Sequence, residues 1–268
     1  MKQTIDIFGK KWYIGMESGR RVHPRHPNEV FTDENIRVYN DPGKGETVEF
    51  STRRLDTPVI TRHWDGRDYI SNYAAGGICS VDAYTYGKFS IRAKLPKGSA
   101  AHAAFWLSGD KTWPPEIDCF ETYNTFRGKT LSWPDPFRQF ANGFASDILK
   151  WNCVLPVRRI QPNIHWNTAY NHEDLRTFNV PFNFFDDPYD SFNEYDILWM
   201  PELIKIHYNG YPVLECRDTN ILKWFNEYPM MHVILDNSYI MKVTDGVKDE
   251  TDLPKTPFIV YGFEYEKL

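Results

Sequence analysis

The 268-residue chain lacks most of the features that would place it quickly. It has no run of apolar residues long enough to span a bilayer, and Met1-Lys2-Gln3-Thr4-Ile5-Asp6 is too polar for the core of a secretory signal. Only four cysteines occur: Cys79, Cys119, Cys153 and Cys216. Their spacing makes no metal knuckle, and apolar contexts around Cys79 and Cys119 predict mostly free, buried thiols. Neither a Gly-x-Ser-x-Gly elbow nor a phosphate-binding P-loop is present. His23 and His26 flank a proline and have no third ligand, so that turn predicts no metal. Positive charge is also short. A net charge of −5 argues against generic nucleic-acid binding.

Long helical patterns are scarce too, and strand patterns take their place. From Tyr86 to Leu95 one face reads Gly87, Phe89, Ile91, Ala93 and Leu95, the other Tyr86, Lys88, Ser90, Arg92 and Lys94. That period of two is a half-buried strand. Ala103-Ala104-Phe105-Trp106-Leu107 is apolar on both faces and predicts a central strand. Asn209-Gly210, between two strand-like runs, predicts a hairpin with a type I′ turn. Pro212 just after it cannot donate to a ladder, which marks an edge or a non-bonded position. The best short helix is Asn220 to Glu227, with Ile221, Leu222 and Phe225 on one side. Aromatics make up 16% of the chain, enough both to fill a sandwich core and to line a binding face.

What stands out is Glu116-Ile117-Asp118-Cys119-Phe120-Glu121, directly after Trp113-Pro114-Pro115. On a regular strand Glu116 and Asp118 share a face and Glu121 points away. One extra residue, a β-bulge near Cys119 or Phe120, returns Glu121 to their side. Three acids on one face repel each other, and stability alone gives no reason to gather them. Two such carboxyls are what a retaining glycosidase needs. The same acids are also compatible with a divalent-metal site or a solvated acidic patch.

The neighbourhood of the motif narrows those readings. Gly76-Gly77-Ile78-Cys79-Ser80 precedes the alternating strand, which is followed by Ala103–Leu107 and then the acidic run. Asn163-Ile164-His165-Trp166, Tyr195-Asp196-Ile197-Leu198-Trp199 and Ile206-His207-Tyr208-Asn209-Gly210 come after it. In order and spacing this resembles glycoside hydrolase family 16, the laminarinase, agarase and carrageenase group, over roughly residues 56 to 268. The resemblance implies an all-β fold, a β-jelly-roll sandwich of the concanavalin A-like lectin and glucanase type with a concave sugar-binding cleft. Residues 1–268 are expected to form one catalytic domain with a long insertion at 125–162.

By the same resemblance Glu116 is the nucleophile, Glu121 the general acid/base, and Asp118 the carboxylate between them. The implied activity is endo-acting, retaining hydrolysis of a β-linked glucan or algal-type galactan. The competing class is a non-hydrolytic carbohydrate-binding or attachment protein on the same fold. Trp113, His102, Trp106 and His165 are candidate sugar contacts; for Trp106 core packing is an equal alternative, and for His165 a structural role. The insertion carries Arg127, Lys129, Arg138, Lys150, Arg158 and Arg159 against Asp135 and Asp147, a net +4. Arg138 and Arg158 are therefore candidates for binding an anionic polysaccharide, with a solvated or partner-facing loop as the alternative. No cofactor is expected. A structural calcium is implied by the family, but its usual Asp on the last strand corresponds to Tyr261. The expected partner is a polysaccharide, with no nucleic acid and no membrane insertion. The expected location is extracellular or secreted, or virion-associated.

Overall fold

The computed structural model describes residues 2–22, 28–62, 66–98, 101–125, 157–169, 171, 173–176, 188–239 and 253–268. The alternating and doubly apolar patterns both become strands. β1 (Thr4–Ile7), β2 (Lys10–Ile14), β3 (Glu29–Phe31), β4 (Ile36–Asp41), β5 (Gly45–Phe50), β6 (Thr52–Arg62) and β7 (Asp68–Ser80) lead to β8 (Gly87–Lys94), β9 (Ala101–Gly109) and β10 (Glu116–Thr125). Then follow β11 (Val157–Trp166), β12 (Glu173–Arg176), β13 (Asn193–Met200), β14 (Leu203–Tyr208), β15 (Tyr211–Cys216), helix α1 (Thr219–Glu227), β16 (Met231–Tyr239) and β17 (Phe258–Glu266).

They assemble into two facing sheets, a jelly-roll sandwich as the resemblance implied. One sheet has the order β1-β2-β7-β16-β9-β10-β11-β12, with β3 and β6 also paired to β7. The other runs β15-β14-β13-β8-β17-β5-β4. Pairing is antiparallel except for β3 beside β7. Side chains from the inner faces meet in one core: Phe89, Ile91 and Phe258 from one side, Phe105, Leu107 and Ile117 from the other.

Local chemistry explains these elements. β8 alternates buried and partly exposed residues as its sequence does. β9 is covered on both faces, because Ala103, Phe105 and Leu107 enter the main core while Met16, Phe31 and further apolar residues pack with Ala104 and Trp106 on the other side. Asn209 and Gly210 both take positive φ, the type I′ turn joining β14 to β15. Pro212 sits on the edge strand β15, beside a register shift, where its missing N–H is harmless. α1 is capped by the Asp218 carboxylate, which accepts the Asn220 N–H, and it buries Ile221, Leu222 and Phe225. No helix among the described residues is long and apolar enough to cross a membrane.

One expectation is corrected. The segment 125–162 is not all insertion, since β11 already begins at Val157 and pairs with β10 from Thr125 onward. Alternation was hard to read there because Pro162 interrupts it. Residues 126–156, with Arg127, Lys129 and Arg138, lie outside the described residues, as do His23 and His26. Cys153 lies there too; Cys79, Cys119 and Cys216 are free, buried thiols as expected.

Candidate active site

The ladder on either side of β10 shows where its acids point. Against β9, Glu116 pairs with Ser108, Asp118 with Trp106 and Glu121 with Ala104. Against β11 they pair with His165, Asn163 and Gln161. Each partner set steps by two, so all three acids share one face. The step of three on β10 is taken up by a bulge between Asp118 and Phe120 against β9, with Cys119 as the extra residue. Cys119 and Phe120 both turn into the core. Pro162 lies across from the bulge on β11, one of the few places inside a sheet that tolerate a proline.

The acids are held by a tight set of neighbours. Trp113 Nε1 donates to Glu116 Oε2 at 2.7 Å. His165 Nε2 lies 3.5 Å from Glu116 Oε1, 3.4 Å from Asp118 Oδ2 and 2.9 Å from Asn163 Nδ2. On the β9 side, His102 Nε2 lies 3.5 Å from Glu121 Oε1. Its Nδ1 is 2.8 Å from the Thr122 carbonyl, which can only accept, so the network assigns a proton to Nδ1. In neutral His102 that leaves Nε2 as an acceptor facing Glu121.

Burial and the Asp118 carboxylate push the Glu116 carboxyl well above the usual range. His165 and the Trp113 N–H pull against that shift, and Glu121 adds to it. The cluster therefore resists full ionisation.

A second layer of acids lies behind His102. Trp106 Nε1 donates to Asp236 Oδ1 at 2.9 Å, and Ser238 Oγ to Asp236 Oδ2 at 2.6 Å. Burial raises the Asp236 carboxyl, while Ser238, His102 and Trp106 lower it. Glu29 on β3 is fully buried and accepts the Tyr239 N–H at 2.6 Å. Burial is the main cause that pushes Glu29 up to about 8, and Asp236 adds to it. β3 reaches this position because β7 carries glycine there: a Cβ on Gly77 would stand 2.8 Å from the Phe31 ring and 3.0 Å from Asp236 Cβ. Sequence reasoning missed Asp236 and Glu29. Each sits singly in an otherwise unremarkable strand, and only the fold brings them to the acidic face.

The predicted contacts separate accordingly. Trp113, His102 and His165 stand directly against the acids. Trp106 is on the same face but only 9% exposed, inside a small cluster with Met16, Phe31 and Ile234, and its N–H is committed to Asp236. Arg158 lies on β11 opposite Asn124, with its side chain outside the described residues.

For a metal, Glu116, Asp118 and His165 offer ligand atoms within 4.8 Å of one another, a donor set for a borderline cation. At Tyr261, where the resemblance implied a calcium-binding Asp, the phenol ring packs 4.9 Å from that of Phe192.

Comparisons with known proteins bear on the family and the fold. The family model "Glycosyl hydrolases family 16" matches residues 25–136. Endo-1,3-1,4-beta-glycanase EglC of Rhizobium meliloti is 40% identical over 73 residues, 27% of this chain but only 15% of that protein. Xyloglucan endotransglucosylase/hydrolase protein 3 of Arabidopsis thaliana is 24% identical over 234 residues, covering 84% of this chain and 68% of its own length. Among solved structures, porphyranase B of Zobellia galactanivorans superposes with a TM-score of 0.61 at 15% identity, covering 98% of this chain and 88% of that one. A family 16 enzyme of the Bacteroides ovatus mixed-linkage glucan locus, in complex with its product, gives 0.60 at 17% identity, over 88% and 87%. Residues 25–136 match the family 16 model, and the fold over most of the chain is that of solved family 16 structures.

Proposed function

We propose that the protein is an endo-acting, retaining glycoside hydrolase that cuts a β-linked polysaccharide by double displacement. The observation that carries this reading is the bulge that sets Glu116, Asp118 and Glu121 on one face, between two histidines. Three acids crowded on one face, with Asp118 buried among them, cost stability, and a sugar-binding module gains nothing from them.

Each residue then has a task. Glu116 attacks the anomeric carbon, held in aim by the Trp113 N–H, with Asp118 and His165 beside it. Glu121 gives its proton to the departing sugar oxygen, and a glycosyl ester forms on Glu116. Glu121 then takes a proton from water, which releases the sugar with its configuration kept. His102 Nε2 stands 3.5 Å from the Glu121 carboxyl, beside the assigned proton donor. Trp113, close to His165 with ring centroids 6.1 Å apart, is placed to stack on a sugar face. No step requires a metal or organic cofactor. Secretion, or carriage on a virion, suits a polysaccharide substrate.

Release of reducing ends tests the proposal. The panel is laminarin, mixed-linkage glucan, xyloglucan, agarose, porphyran and carrageenan. Hydrolysis of one of them, with the β-anomer appearing first by NMR, is the expected result. Tight binding without cleavage across the panel would instead favour the attachment-protein reading. First appearance of the α-anomer from a β-linked substrate would rule out retention.

A further inference from the structure

The bulge leaves Cys119 without a ladder partner on either neighbouring strand. A displaced carbonyl at that point must find another donor or pay for its burial. It finds one across the sandwich. Tyr208 of β14, in the opposite sheet, reaches through the core, and its Oη donates to the Cys119 carbonyl at 2.8 Å. Its ladder partner on β13 is Tyr195, whose ring packs 5.1 Å from that of Tyr208. The Tyr195 ring in turn lies 4.6 Å from Phe120, the residue after the bulge. Tyr195, Tyr208, Cys119 and Phe120 are all fully buried.

We propose that Tyr208, with Tyr195, clamps the bulge from the opposite sheet and so fixes Glu121 relative to Glu116. Tyr208 is thus a positioning residue of the reaction, and this inference rests on the proposed function. A bulge at Cys119 and one at Phe120 would both return Glu121 to the acidic face. They would differ in where its carboxyl stands. The hydrogen bond to Cys119 and the ring against Phe120 favour the first. Burial pushes the Tyr208 phenol well above its ordinary pKa, so it remains a neutral donor at any pH at which the protein works. The effect on rate follows from geometry, because a misplacement of about 1 Å at a reacting group costs about 100-fold.

The experiment compares two deletions of a tyrosine hydroxyl. Tyr208→Phe removes the bond to Cys119. Tyr265→Phe removes one that serves the Thr85 and Tyr86 carbonyls, both at 3.0 Å, just ahead of β8. The clamp predicts that both lose comparable thermal stability while only Tyr208→Phe loses kcat, by about 10- to 100-fold, with KM within about twofold. In unliganded protein, amide hydrogen exchange at Cys119, Phe120 and Glu121 should speed about 10-fold or more in Tyr208→Phe and stay at the wild-type rate in Tyr265→Phe. Should Tyr208→Phe fail to fold, Tyr195→Leu withdraws the ring under Phe120 and should lower kcat in the same sense. Unchanged kcat and unchanged exchange in a folded Tyr208→Phe would overturn the clamp. The exchange needs no activity, so an inactive wild type would sink the proposed function and leave the clamp to be decided by it.

Discussion

β8 and β10 line the same core from opposite sheets, yet one obeys the rules of a strand and the other breaks them. β8 alternates along its length, core side then outer side. β10 spends an extra residue at Cys119, buries an acid at Asp118, and crowds two more beside it. Stability explains every position of β8. The proposed chemistry explains β10. A strand whose irregularity gathers like charges marks where function has overridden packing.

The contrast can be broken first at β10. Glu116→Gln and Glu121→Gln keep shape and remove one carboxylate each. Each should lower kcat by about 1,000-fold or more while thermal stability holds or rises. Near-wild-type hydrolysis by either, in a reducing-sugar assay, would refute the assigned roles. Azide should restore turnover to Glu116→Ala with inverted product, a small anion replacing the nucleophile. At β8 the reverse is expected. Ile91→Ala, in the core, should cost about 2–5 kcal/mol by denaturant unfolding and leave kcat of the folded fraction within about twofold.

Glu29 sharpens the comparison by pH. Its folded pKa of about 8 lies above the ordinary carboxylate value, so the folded state binds a proton that the unfolded chain releases. That stabilisation is complete below about pH 4 and fades as pH rises through 8. Glu29→Gln should flatten the decline in melting temperature between about pH 5 and 8, a difference of several degrees by calorimetry. A slope identical to wild type would show that Glu29 is ionised in the fold. Smallest of all, dialysis against a chelator should leave activity unchanged if no cation serves the reaction, and a loss restored by one metal would contradict that.

Much of this was legible in the chain because it is local. The alternation of β8, the Asn209-Gly210 turn, the helix after Asp218 and the acid spacing each depend on residues within one element. His102 and His165 were legible only as candidates, and the fold placed each against a carboxylate. What stayed hidden depends on distant pairs. Tyr208 meets a carbonyl 89 residues away, and Glu29 meets an N–H 210 residues away. No periodicity reports such contacts. The start of β11 was hidden differently, by Pro162, whose place opposite the bulge makes sense only once the register is known. Arg138 and the rest of the basic segment 126–156 lie outside the described residues, so the expectation of an anionic substrate rests on sequence alone.

The extra residue of the bulge is itself a sensor. Cys119 carries a fully buried thiol, and burial drives its pKa well above that of a free cysteine. A thiol reagent can reach it only when the strand lets go. Cys79 and Cys216 are buried elsewhere in the fold. The labelling rate at Cys119, read by peptide mass spectrometry, therefore clocks the breathing of β10 with a reporter the chain already carries.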